Sequence, residues 1–123
     1  MYVFRLLKST GAPTGNWVSF EGSGIYSNNA GNALIVSDFD KAQQTRAVES
    51  DRARAAGMGD RVEIVEVKDL PPYLIASSAY CDRLAKQVNT LWEGGYTPCG
   101  GVIWNGSTFL QSVVRRLRPF DGI

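Results

Sequence analysis

Asn105-Gly106 stands between two strand-forming runs, Thr97–Trp104 and Ser107–Arg118. An Asn-Gly pair so flanked is the strongest short-range hairpin signal, because a two-residue type I′ turn needs positive φ at both central positions. The chain must therefore reverse here and pair antiparallel. The residues upstream extend the pattern. Ser78 can cap a helix over Ala79–Glu93, on which Leu84, Val88 and Leu91 recur at the spacing of one buried face, with Trp92 beside it. Gly94-Gly95 stops that helix, one glycine taking the left-handed conformation. Before it, Tyr73–Ser77 reads as a strand. Residues 73–118 thus form a strand–helix–hairpin unit. Its return strand is apolar on both faces: Phe109, Val113 and Leu117 lie on one, Leu110 and Val114 on the other. Such a strand needs cover on both sides. The helix supplies one layer; the N-terminal part or another subunit must supply the second.

Residues 1–70 carry their own plan. Tyr2–Lys8 is a strand, and a Gly/Pro/Ser/Thr-rich stretch follows to Asn16. A short strand is expected around Trp17–Glu21, a loop over Gly22–Asn32 and a third strand over Ala33–Val36. Ser37-Asp38 starts a helix that runs to Ala56 and stops at Gly57. Its apolar face is thin, formed by Phe39, Ala42, Val48 and further alanines, so it is a candidate oligomer seam or a solvated helix. Arg61–Val67 alternates as a strand, and Pro71-Pro72 makes a rigid joint. The expected architecture is a compact α+β fold: one domain over 1–123, a mainly antiparallel sheet and two principal helices, assembled as a homo-oligomer.

Composition limits the chemistry. Apolar residues make up 44% and charged residues 20%, an ordinary globular balance. The longest apolar runs fall well short of the roughly 18 residues that span a bilayer, so no membrane partner is expected. The N-terminus lacks the flanks and length of a signal peptide, which points to the cytoplasm. Cys81 and Cys99 are then reduced, half-buried thiols without zinc-ligand spacing. Histidine is absent, so a serine nucleophile has no ready general base. Cys81 lies near a helix start, where a thiol pKa can fall, but no partner motif accompanies it. Asp38 and Asp40 are explained by capping, and the glycine pairs match no phosphate-loop fingerprint. Neither catalytic residues, nor a metal, nor a cofactor is expected, and binding is the better reading.

Charge separates along the chain. Residues 1–70 hold eight basic and nine acidic side chains; residues 71–123 hold five basic and three acidic ones. Arg115, Arg116 and Arg118 crowd the end of the return strand, where guanidinium forks suit phosphate oxygens. Trp104 and Phe109, with Trp92, can offer rings for a base to stack on, and Asn89 and Asn105 can read a base edge. The same aromatics could instead be core, and the arginines could guard a strand edge.

The ordered series Val88-Asn89, Gly95-Tyr96, Pro98-Cys99-Gly100-Gly101 and Gln111-Ser112-Val113-Val114-Arg115 resembles a phage and prophage domain of unknown function, number 1737. The likeness covers 73–118 and implies a fold more than an activity. The chain as a whole resembles the Thoeris anti-defence proteins, small phage proteins that act as sponges for cyclic-nucleotide immune signals. That resemblance implies a homo-oligomer; closed symmetry makes a dimer, or a multiple of dimers, the expected unit. It also implies a nucleotide-derived small molecule as partner, cyclic ADP-ribose-like or a cyclic oligonucleotide, held intact in the host cell cytoplasm. The alternative is a phage accessory protein that binds a host protein or DNA. A small nucleotide-processing enzyme ranks third.

Overall fold

The computed structural model describes residues 1–115; Arg116 and Arg118 lie outside the described residues. The fold is α+β, with two helices and two antiparallel sheets. The chain divides into two compact units between Leu70 and Pro71. The strands are shared between two sheets, one per unit.

The first unit contains β1 (Tyr2–Leu7), β2 (Pro13–Val18), β3 (Tyr26–Ser27), α1 (Phe39–Ala55) and β4 (Arg61–Glu66). Its sheet order is β3-β2-β1-β4, with every pair antiparallel. Phe4 and Leu6 alternate onto one face of β1, opposite Ile64 and Val62 of β4, and form the core with Val18. On the reverse face Arg5 pairs with Glu63 at 2.6 Å and lies over the Trp17 ring. The second strand begins at Pro13, earlier than the sequence suggests, because Gly11 at φ 89° turns the chain tightly enough for Pro13 to pair with Leu7. Ala33–Val36 makes only single bridges, Ser19 to Ala33 and Tyr2 to Val36, while Leu34 and Val36 pack on the core. The loop over Gly22–Asn32 contains β3 and one 3-10 turn.

Asp38 caps α1 by accepting the Lys41 N–H at 3.2 Å, and Gly57 at φ 70° follows its end. The buried face differs from the expected one. Phe39 and Val48 are about half exposed, whereas Ala42, Glu49, Ser50 and Ala53 face inward. Alanine lets the helix sit close to the sheet, and polar side chains then fill the gap by bonding. Ser50 Oγ accepts the Val62 N–H at 3.0 Å, and Glu49 accepts from the Ser23 hydroxyl at 3.1 Å. Ala42 and Ala53, two residues of the suggested oligomer seam, are thus spent inside their own unit.

The second unit contains β5 (Tyr73–Ser78), α2 (Cys81–Glu93), β6 (Tyr96–Trp104) and β7 (Phe109–Arg115), in sheet order β5-β7-β6. The helix starts two residues later than expected: Ser78 Oγ accepts the Tyr80 N–H at 3.1 Å, and Tyr80 takes the cap position. Gly95 at φ 100° lets the chain leave α2 and enter β6. Leu84, Gln87 and Leu91 of α2 are buried, as are Leu74, Ala76, Tyr96, Gln111 and Val113 of the sheet. The opposite face of this sheet presents Tyr73, Ile75 and Ile103 to solvent.

The hairpin turn also differs. Among the described residues only glycines have positive φ, so Asn105 does not adopt it. Trp104 pairs with Phe109, which leaves a four-residue loop, Asn105–Thr108. Asn105 Oδ1 accepts the Ser107 and Thr108 N–H groups at 3.0 and 2.8 Å. A side-chain carbonyl that substitutes for a backbone acceptor stabilises a longer turn without straining its own residue. Gly106 alone carries the left-handed conformation in this loop, at φ 97°, and a Cβ there would meet no neighbouring atom within 4 Å. Gly106→Val is therefore expected to destabilise by ~1 kcal/mol or more through backbone strain alone. Thermal unfolding checks it: an unchanged Tm would mean the loop relaxes to another turn at no cost.

Candidate functional site

The second unit builds a groove from a mismatch between two strands. Cys99 pairs with Ser112 and Ile103 with Leu110, so Gly100, Gly101 and Val102 together face the single residue Gln111. Extra residues on one strand make a bulge, and Gly100 at φ 76° supplies the conformation that permits it. Gln111 holds it in place. Its Nε2 donates to the carbonyls of Cys99 and Gly100 at 3.3 and 3.1 Å, and to that of Ser112 at 2.9 Å. The Pro-Cys-Gly-Gly and Gln segments singled out in the sequence are thus two halves of one structural device.

Between this bulge and α2 lies an apolar groove of about 240 Å³. Leu84, Val88, Asn89 and Trp92 line it from the helix, Pro98 and Val102 from β6, and Gln111 from the floor. The helix side is one stripe of α2, at the 3.6-residue period. Leu84 is the buried part of that stripe, while Trp92 remains 57% exposed and Asn89 is open to solvent. Cys81 also lines it. Both cysteines are free and exposed, not half-buried as the sequence suggests. With the Gln111 Nε2 committed to the bulge carbonyls, the open Asn89 amide, an exposed indole and apolar walls are the groove's chemistry. An exposed ring beside apolar walls can stack on a flat group.

The expected binding residues fall in two places. Arg115 lies at the end of β7 opposite Tyr96, with its guanidinium carbon 5.2 Å from that ring's centroid. Its Cγ and Cδ pass within 4.0 Å of the position a Cβ on Gly95 would take, one turn beyond Trp92. Asn89 lines the groove. Phe109 and Trp104 pack together at the other end of β7, with centroids 4.6 Å apart. Arg115 lies six positions beyond Phe109, about 20 Å along an extended strand. The sequence reading placed the arginines and this aromatic pair in one platform; within one copy they are too far apart to touch one base and its phosphate. Asn105 Oδ1 is committed to its own turn. Trp92, Val102 and Gln111 carry the groove instead. Helical spacing from Leu84 marks Trp92 on this side, but no sequence signal announced that Gln111 would reach across to the bulge.

Among the described residues no three His, Cys, Asp or Glu side chains come together to hold a metal, and no helix is long and apolar enough to cross a membrane. Tyr96, fully buried, donates its hydroxyl to the Pro71 carbonyl at 2.6 Å. Burial raises its pKa above the usual 10.0, and the Arg115 charge opposes that rise in part. A folded-state pKa above the unfolded value stabilises fully below pH ~10 and is lost as pH climbs through the folded value. Denaturation midpoints should therefore fall above pH ~10, and the fall should shrink in Tyr96→Phe. A Tyr96→Phe profile identical to the parent's would remove this group as the cause.

Fold and groove together define a two-unit α+β protein with an open helix–strand cleft in its second unit. No protein-family model matches the chain, and neither a curated protein nor a solved structure matches it.

Proposed function

We propose that the chain binds a nucleotide-derived signal and holds it unchanged, the base lying in the α2–β6 groove and a phosphate meeting Arg115. The observation that carries this reading is the groove itself, with an exposed indole and Asn89 on one wall; the Arg115 guanidinium lies over the Tyr96 ring, where α2 hands over to β6. Base–aromatic stacking contributes roughly 1–3 kcal/mol, and an arginine fork adds charge-assisted bonds to phosphate. Arg116 and Arg118 follow Arg115 in sequence and add two cations to the same end of the chain. The resemblance to phage sponges for cyclic-nucleotide signals supports the same class of ligand, and with it a place of action in the host cytoplasm.

Native mass spectrometry and thermal shift with cyclic dinucleotides, cyclic trinucleotides and cyclic ADP-ribose derivatives test it. The expected result is a bound complex, a raised Tm and recovery of the unaltered ligand after heat denaturation. A chemically changed ligand would make the protein an enzyme. Absence of stabilisation by every compound would favour the second reading, an accessory protein that docks on a host protein or DNA. The open sheet face of Tyr73, Ile75 and Ile103 is the observation on that side.

A further inference from the structure

From Tyr96 to Thr108 the chain carries no charged side chain. This stretch includes β6, an edge strand whose every residue after Tyr96 is exposed. Proteins blunt such edges with lysine, proline or a bulge, because unpaired backbone groups template another strand. In β6 those devices are confined to the first part, at Pro98 and the Gly100–Val102 bulge. Past the bulge there is none, and Val102 at its end, Ile103 and Trp104 are 54%, 64% and 52% exposed.

The backbone there is directional. Asn105 N–H donates to the Thr108 carbonyl at 3.1 Å. The alternation of an antiparallel ladder then turns the N–H and C=O of Ile103 toward Leu110. It leaves the N–H and C=O of Trp104, and the C=O of Val102, on the outer edge. These groups meet no partner among the described residues.

We infer that β6 pairs antiparallel with β6 of a second copy, about a two-fold axis at Ile103. In that register the Trp104 N–H of each copy donates to the Val102 carbonyl of the other. The two Ile103 residues face each other as a non-hydrogen-bonded pair, Cα atoms about 4.5 Å apart. Val102 of one copy lies beside Trp104 of the other, so all three apolar side chains meet apolar partners across the strand. The lack of charge selects the occupant. An uncharged strand offers no ion pair to a charged peptide, and it meets no like-charge repulsion from itself. Two-fold pairing is also closed, so it yields a dimer and not a fibre. The product is one six-stranded sheet, an ordinary size.

The test uses the full chain with Cys81 and Cys99 replaced by serine. Cα atoms at this spacing accept a disulfide, so Ile103→Cys should form a covalent dimer on mild oxidation at least about tenfold faster than Ile75→Cys, an exposed control on β5. Separately, Ile103→Lys should turn a dimer into a 13.4 kDa monomer by light scattering, with its Tm retained. A parent protein that is monomeric at every concentration overturns the inference. So does equal crosslinking at positions 75 and 103, or a folded Ile103→Lys dimer. Should the lysine variant fail to fold, the crosslinking comparison decides alone.

Discussion

Tyr96→Ala is expected to destabilise the protein by about 3–5 kcal/mol, the range for truncating a large buried aromatic. Tyr96 is fully buried where β6 begins. Its ring supports the Arg115 guanidinium, and its hydroxyl closes on the Pro71 carbonyl. Removing the ring leaves a cavity, an unsatisfied carbonyl and an arginine without its platform. Tyr96→Phe keeps the ring and should lose only about 0.5–1.5 kcal/mol, the net value of one hydrogen bond. Urea denaturation of the two variants separates packing from bonding. A Tyr96→Ala loss below about 1 kcal/mol would mean the surrounding side chains collapse into the space.

Trp92→Ala should weaken ligand binding roughly tenfold to a hundredfold, from the loss of about 1–3 kcal/mol of stacking. Its effect on the unliganded protein should be small, because the indole is mostly exposed. Arg115→Ala should weaken binding by a similar factor, since charge-assisted hydrogen bonds contribute roughly 1.5–3 kcal/mol. Here the unliganded protein should also lose some stability, because Arg115 packs on Tyr96. Arg115→Lys should rescue only in part, as an ammonium lacks the fork. Calorimetry with the compound that gives the largest thermal shift measures all three. Parent-like affinity in both alanine variants would move the ligand out of this groove.

How far the sequence reached depends on the range of the interactions that decide each feature. The class and the extents of most elements were legible because they are set by neighbours. Asp38 caps α1 from three residues away, Gly57 and Gly95 follow the helix ends, and the Leu84 and Leu91 spacing marks the buried face of α2. The break at Pro71 is local in the same way. In the site, helix periodicity was enough to bring Asn89 and Trp92 to one side.

The remainder was settled by contacts between residues far apart in the chain. The inward turn of Glu49 and Ser50 depends on how closely α1 approaches the sheet and on the distant Ser23 hydroxyl and Val62 N–H that donate to them. The hairpin type depends on where the Asn105 side chain finds its donors, which no dipeptide rule encodes. The groove needs a bulge held open by Gln111 across the ladder, and a helix laid beside it. Sequence alone thus determined the two helices and most of the strands, through backbone conformation and periodicity. Tertiary structure decided which of their residues share a surface, because that follows from register and packing, which join positions that local sequence cannot relate.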